Sequence, residues 1–299
     1  MKTPTALLLC LLLLLLPVRA RGQETLCAAS IFPIWLLVEE VTRDVPGVRT
    51  ELLLPASTGC PHDYAMSPPE RRTLARADIL VINGLGLESF LGEGERLKSL
   101  MKPGAAVIDA SLGVTGLLRE GAHPNPHLFA SPSMSAQMAR SLAGQFAALA
   151  PEYAQLYLKN GERAAMRLEA LAEECRALGS RLKARGVVAQ HTIFDYLARD
   201  LGLSMEAHIQ PHEGQEPSAA EMIGLVRTIR ERHAAAVITE PQYPARTGKT
   251  LAAETGIPCL SLDPVDHGPQ DLPQGTALDY YERTMRKNLH TLENCLGSR

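Results

Sequence analysis

Short apolar runs alternate with amphipathic stretches along almost the whole chain. The apolar runs have the length and composition of strands, at 26–32, 48–54, 78–83, 106–110, 187–190, 203–210, 235–239 and 258–262. Between them, apolar residues recur at helical spacing, at 34–42, from 67 onward, and at 87–100, 133–149, 192–200, 218–232, 247–255 and 278–296. This alternation in both halves predicts two α/β lobes built on parallel sheets.

The longest amphipathic stretch, 151–185, separates the two halves. Its apolar positions form one stripe, and charged residues cover most of the remaining surface. Pro151 fits the first turn of a helix, and Gly186 follows the last basic turn. A single helix here would be roughly 50 Å long and could join two lobes. Two shorter helices broken at Asn160-Gly161 are the alternative.

The first twenty residues are predicted to be a secretory signal. A positive residue, Lys2, precedes an apolar run at 6–18 and a small-residue cleavage site at 18–20. We therefore expect a signal peptide at 1–20, an N-terminal lobe at 21–150, a linking helix at 151–185 and a C-terminal lobe at 186–299. Neither Cys10 nor Cys27 follows the small residue of a bacterial lipid-attachment site, so no lipid anchor is expected.

Charge argues against a nucleic-acid partner. Loss of the signal removes Lys2 and Arg19 and no acidic residue, which leaves 28 basic against 33 acidic side chains, a net charge of −5. An exported, mildly acidic protein is a poor candidate for binding nucleic acid.

Three histidines and one aspartate occupy corresponding places in the two halves. His62, His127 and His191 each lie in a loop after a predicted strand, and Asp263 ends another strand. Ligands of such sheets bind beyond the carboxyl ends of the strands. Three imidazoles and one carboxylate form a complete tetrahedral set for Zn²⁺, and these four can meet only between the lobes.

Other candidates surround this set. Cys60 could reach a soft metal or be a buried or oxidised thiol, and Glu240 is a candidate helper or alternative ligand. The remaining histidines near these loops are expected to be solvated or to act as helpers: His123, His208, His212 and His267. The sequence offers no nucleophile–base pair, and a site with four protein ligands has no open position for a reactive water. We therefore expect a carrier and not an enzyme.

These residues resemble a known family, the zinc- and manganese-binding solute-binding proteins of ABC importers (cluster A-I). The resemblance runs from about residue 26 to 295, and its most specific segments are Pro61-His62-Asp63-Tyr64, 77–84, Asn125-Pro126-His127, the His191, Phe194 and Tyr196 segment, 201–203, 216–219 and 239–242.

The resemblance implies a fold, a function and a ligand set. The fold is two Rossmann-like lobes joined by one long rigid helix, with the metal in the cleft. Metal ligands are implied at His62, His127, His191 and Asp263, and the third histidine favours Zn²⁺ over Mn²⁺. The cysteine pair of some zinc-binding members would match a disulfide between Cys259 and Cys295. The chain departs from the family at Cys60-Pro61, after His127, and in lacking a long histidine-rich loop.

The predicted function is capture of Zn²⁺ by a monomeric periplasmic protein that delivers the ion to an ABC permease. Mn²⁺ is the alternative cargo. Less favoured rivals are a binding protein for a siderophore or cobalamin, which would need a more aromatic or basic cleft, and a zinc hydrolase. A surface adhesion role has no distinguishing mark in the sequence.

Overall fold

The computed structural model describes residues 24–58, 61, 64–92, 94–210 and 214–297. Four predictions fall outside these residues: the signal at 1–20, and Cys60, His62 and His212. Within the described part, no helix is both long enough and apolar enough to cross a membrane.

The first lobe is a parallel sheet with helices packed against it. Its strands are β1 Thr25–Ala29, β2 Val48–Leu52, β3 Ile79–Ile82 and β4 Ala106–Asp109, in the order β2-β1-β3-β4. Its helices are α1 Phe32–Val41, α2 Pro68–Arg76, α3 Glu95–Leu100 and α4 Pro132–Leu149. A small antiparallel pair, β5 Arg119–Glu120 and β6 His123–Pro124, lies in the loop before α4.

One long helix follows. A 3₁₀ turn at Pro151–Tyr153 leads into α5, Ala154–Arg181, whose 28 residues span about 42 Å at 1.5 Å per residue. The helix runs unbroken through Asn160 and Gly161, and it ends four residues before the predicted limit. Asn160 is buried and donates to the carbonyl oxygens of Val41 and Arg43, at 3.1 and 2.7 Å. Tertiary contacts therefore keep helical a dipeptide of weak helix propensity.

The second lobe repeats the topology of the first. Its strands are β7 Gly186–Ala189, β8 Ser204–His208, β9 Ala236–Thr239 and β10 Cys259–Ser261, in the order β10-β9-β7-β8. Its helices are α6 Asp195–Leu201, α7 Ala219–Glu231, α8 Arg246–Thr255 and α9 Ala277–Leu296. Each sheet places its first and third strands side by side at the centre, so the carboxyl ends of these strands define the binding edge.

The helix α5 unites the lobes. It packs against α1 and α4 of the first lobe and against α6 and α9 of the second. Apolar side chains of both lobes and of α5 form one buried cluster, with Ala29, Leu171 and Val187 among its members. The predicted class, two Rossmann-like lobes joined by a long rigid helix, is confirmed.

One local prediction needs correction, and another is confirmed. The stretch 87–100 is not one helix but a 3₁₀ turn, Ser89–Leu91, followed by the short α3. Gly92 and Gly94 lie between them with φ of 70° and 53°, a left-handed backbone that interrupts a right-handed helix. At 67 the expected start is confirmed, since Glu70 accepts a 2.5 Å hydrogen bond from the backbone N–H of Ser67.

The disulfide implied between Cys259 and Cys295 is not formed in the structure. Both are free thiols, as are the buried Cys27 and Cys175. Cys259 packs against a small apolar cluster inside the second lobe, whereas Cys295 packs against the main core. The two side chains thus belong to different packing environments.

A buried carboxyl group gives the first lobe a predicted pH dependence. Glu88 accepts hydrogen bonds from the Ser30 hydroxyl and from the backbone N–H groups of Asn83 and Gly84, at 2.7, 2.6 and 3.2 Å. Burial outweighs these bonds and raises the pKa of Glu88 to about 7. The folded state therefore binds this proton more tightly than the unfolded state, so the stabilisation is present below about pH 4.5 and is lost as the pH rises to about 7.

We expect the free energy of unfolding of the metal-free protein to fall by about 3 kcal/mol more between pH 4.5 and 7 in the wild type than in Glu88→Gln. Glutamine resembles the protonated acid in shape and cannot ionise. Urea unfolding of both proteins across this range measures the difference. Identical pH dependence in the two proteins would show that Glu88 titrates normally.

Candidate metal centre

Residues from both lobes meet at the carboxyl ends of the strands. His191 lies two residues after β7, Glu240 directly follows β9, and Asp263 lies two residues after β10. His127 comes from the first lobe, immediately before the 3₁₀ turn Leu128–Ala130 that leads into α4. His191, Glu240 and Asp263 therefore lie just beyond strand ends of the second lobe.

Two buried imidazoles face each other across the lobe boundary. The ring centroids of His127 and His191 are 5.3 Å apart, with their planes at 78°. The side chains are almost inaccessible, with His127 at 1% and His191 at 3% exposure. Both rings are therefore shielded from water at the boundary between the lobes.

The orientation of His127 is set by an amide. Its Nδ1 lies 2.9 Å from Oδ1 of Asn125, which also accepts the backbone N–H of His127 at 3.0 Å. An amide oxygen can only accept, so Nδ1 carries the proton. The lone pair is then on Nε2, as a metal ligand requires.

His191 is oriented by a carboxylate in the same way. Its Nδ1 lies 2.7 Å from Oε1 of Glu240, a side chain that is 1% exposed. A carboxylate partner at Nδ1 again directs the lone pair to Nε2 and makes the imidazole a stronger ligand. Glu240 therefore has the position of the helper proposed from the sequence.

A second group of ligand atoms lies on the turn after β10. The carboxylates of Asp263 and Asp266 and the imidazole of His267 bring their ligand atoms within 4.8 Å of one another. Nδ1 of His267 is 2.8 Å from Asp266 and 3.9 Å from Asp263. The hydrogen bond that His267 donates to the Asp266 carboxylate raises the pKa of His267, and burial raises the pKa of Asp263.

One amide connects this turn with the imidazole pair. Nε2 of Gln242 donates to Oε2 of Glu240 at 2.8 Å and to Oδ2 of Asp266 at 2.7 Å. Polar contacts thus run from His191 through Glu240 and Gln242 to the Asp266–His267 pair.

The predicted ligands are therefore distributed over two neighbouring groups. His127 and His191 form one, Asp263 belongs to the other, and among the described residues only the group on the turn has three ligand atoms within 4.8 Å of one another. His62 lies outside the described residues. Ala56, six residues before it, accepts the backbone N–H of Gly268 at 2.9 Å and so lies near the turn.

The histidines outside the proposed ligand set differ in exposure and in their hydrogen-bond partners. His123 is exposed in β6, whereas Nε2 of His208 is bound to Asp195 at 2.8 Å. His267 faces two carboxylates, so of the two roles expected for it, solvated side chain or helper, its position agrees with the helper. Asp266 was missed by sequence reasoning, although it lies only three residues after Asp263.

Two α/β lobes on a rigid helix, with buried imidazoles between them, define a solute-binding protein with a cleft suited to a bare cation. The chain belongs to the family described as zinc-uptake complex component A, periplasmic, whose model matches residues 27–295.

Individual proteins agree with this assignment. The chain is 25% identical over 293 residues to the high-affinity zinc uptake system protein ZnuA of Bacillus subtilis (strain 168), covering 93% of this chain and 89% of that protein. A crystal structure of ZnuA has a TM-score of 0.76 at 27% identity and covers 92% of this chain and 100% of that one. The SBP FpvC of Pseudomonas aeruginosa in complex with Mn²⁺ has a TM-score of 0.79 at 26% identity, covering 92% and 98%.

Proposed function

We propose that this protein captures Zn²⁺ in the cleft between its lobes and delivers the ion to the permease of an ABC importer. The observation that carries the proposal is the buried pair His127–His191, in which an oxygen acceptor occupies Nδ1 of each ring. Two imidazoles side by side can supply half of the ligands of a tetrahedral zinc site. Membership of the zinc-uptake family agrees with this chemistry.

We propose His62, His127, His191 and Asp263 as the ligands. His62 would come from the loop after β2, which contacts the turn carrying Asp263 through the Gly268–Ala56 hydrogen bond. Asp266 is the alternative carboxylate because it lies on the same turn and is linked to His191 through Gln242 and Glu240. The division into lobes at 21–150 and 186–299 with a linker at 151–185 is part of the same proposal.

Zn²⁺ is favoured over Mn²⁺ by ligand type. Imidazole nitrogen suits zinc, whereas manganese prefers sites dominated by oxygen ligands. A related structure contains Mn²⁺ and another Ni²⁺, so the fold accommodates several divalent ions. The choice in this chain would then depend on the third histidine.

Burial of the two imidazoles argues against a metal-chelate cargo, and the number of ligands argues against a hydrolase. A siderophore or cobalamin needs an open cleft, but the facing imidazoles are 1% and 3% exposed. A zinc hydrolase needs an open coordination position, and the proposed set of four protein ligands fills a tetrahedral ion. Carriage of a bare ion fits both facts.

We further propose that the working form is a periplasmic monomer, released by cleavage of the signal at 1–20 and without a lipid anchor. Mass measurement of the exported protein tests this directly. A mature chain beginning near residue 21 without added lipid is the expected result, and a lipid-modified cysteine at its N-terminus would contradict it.

Competition titration tests the cargo. The mature metal-free protein should take Zn²⁺ from a chromophoric chelator and bind Mn²⁺ at least 100-fold more weakly, because three of the four ligands are imidazoles. At a zinc concentration 1,000 times Kd, binding should add about 4 kcal/mol to the free energy of unfolding, visible as a rise in Tm. Tighter binding of Mn²⁺ than of Zn²⁺ would reassign the cargo.

A further inference from the structure

We infer that Asn125 is a positioning residue of the metal site: its side chain selects the tautomer of His127 and fastens the two histidine-bearing segments to each other. The inference rests on the proposed role of His127 as a metal ligand. Asn125 would not bind the metal itself, but it would hold His127 and His191 in the arrangement that metal binding needs.

The oxygen of the amide controls His127. Asn125 is 0% exposed, and its Oδ1 accepts two hydrogen bonds from His127, one from the backbone N–H and one from Nδ1. These bonds fix both the ring orientation and the protonated nitrogen. Without the acceptor, a neutral imidazole can place its proton on either nitrogen, and the form protonated on Nε2 cannot bind metal through that atom.

The nitrogen of the same amide reaches the other lobe. Nδ2 donates to the carbonyl oxygen of Thr192 at 2.9 Å and lies 3.4 Å from Oδ2 of Asp195. Thr192 directly follows His191 in the chain. One planar group therefore joins His127 to the backbone beside His191, which fixes the spacing of the two rings.

The amide can be assigned in only one orientation. Rotated by 180°, it would direct its N–H groups at the backbone N–H of His127 and its oxygen at the carbonyl oxygen of Thr192. Both contacts would be repulsive in a fully buried environment. An asparagine meets both demands because its two ends have opposite hydrogen-bonding character.

A separate anchor of the same loop provides the control. The Tyr196 hydroxyl donates to the carbonyl oxygen of Asn125 at 2.8 Å and accepts the backbone N–H of Leu118 at 3.0 Å. Tyr196→Phe therefore loosens the loop without removing any contact of the His127 ring. A role confined to anchoring the loop would make this variant resemble an Asn125 variant.

The experiment uses the metal-free mature protein, with ¹⁵N-labelled histidine, and compares the wild type with Asn125→Ala, Asn125→Asp, Tyr196→Phe and His127→Ala. NMR of the ring nitrogens reports the tautomer of His127, and the His127→Ala spectrum assigns its signals. Zinc affinity is then measured by chelator competition.

We expect wild type, Tyr196→Phe and Asn125→Asp to hold the proton on Nδ1, because a carboxylate also accepts there. Asn125→Ala should give a mixture of tautomers and bind zinc about 10- to 100-fold more weakly, as is typical when the partner of a metal-binding histidine is lost. Asn125→Asp should lose part of the affinity, since it accepts from His127 but cannot donate to Thr192. Tyr196→Phe should change affinity by less than about 3-fold.

Two results would overturn the inference: an unchanged tautomer in Asn125→Ala, or an affinity loss in Tyr196→Phe as large as in Asn125→Ala. If Asn125→Ala does not fold, Asn125→Asp decides, because wild-type affinity in that variant also contradicts the bridging role. Failure of the proposed function is distinguishable, since His127→Ala would then bind zinc as tightly as the wild type.

Discussion

Replacing His191 by alanine is expected to weaken zinc binding about 100- to 1,000-fold. Structural zinc sites bind with about 10–16 kcal/mol, so one ligand of four contributes about 3–4 kcal/mol, which corresponds to this loss. The imidazole lies in the buried cleft, 2.7 Å from Glu240, so no exposed side chain can replace it without rearrangement.

Competition titration of His191→Ala beside His290→Ala measures the effect. His290 is exposed on α9 and is not among the proposed ligands, so its removal should leave zinc affinity unchanged. The two variants differ only in which imidazole is lost. Equal affinities would remove His191 from the ligand set.

Replacing Gly179 by alanine is expected to lower the free energy of unfolding by at least about 1–3 kcal/mol, the usual cost of overpacking a close contact. Gly179 lies in α5, where the helix touches the end of α6 in the second lobe. An added Cβ would overlap the carbonyl oxygen of Leu201 and lie 2.6 Å from its carbonyl carbon. Backbone cannot move aside as a flexible side chain can, so α5 and the second lobe must separate.

Gly144→Ala is the matched control, since Gly144 is also a helical glycine but has nothing within 4 Å of an added Cβ. There, alanine should stabilise by about 0.5–1 kcal/mol through its better helix propensity. Urea unfolding of both variants tests the contrast. Stabilisation of both would mean that α5 does not pack closely on α6, and the rigid connection of the lobes would be wrong.

The sequence was sufficient for the fold class because the parallel strands are short, almost continuous apolar runs and the helices have apolar stripes. It was insufficient where glycine conformation decides the outcome: Gly92 and Gly94 divide a stretch whose apolar spacing is helical throughout. Asn160 shows the opposite case. Its propensity suggested a break, but two tertiary hydrogen bonds keep the helix continuous.

The sequence indicated His127 and His191 as candidates because each follows a predicted strand, and the structure places their rings 5.3 Å apart. Glu240 was proposed as a helper from the sequence, but the roles of Asn125 and Gln242 were not, because they depend on contacts between distant segments. Gln242 connects Glu240 with Asp266 across two loops, and Asn125 connects the segments of His127 and His191. The expected Cys259–Cys295 bridge is not formed in the structure, where the two thiols pack against different apolar clusters.

The most direct test of the metal site is anomalous X-ray diffraction from zinc-loaded crystals, recorded on both sides of the zinc absorption edge. We predict one strong peak between the lobes, about 2.0–2.2 Å from Nε2 of His62, His127 and His191 and from a carboxylate oxygen of Asp263. A peak bound by Asp266 and His267 alone, with His127 and His191 more than 4 Å away, would contradict the proposed site.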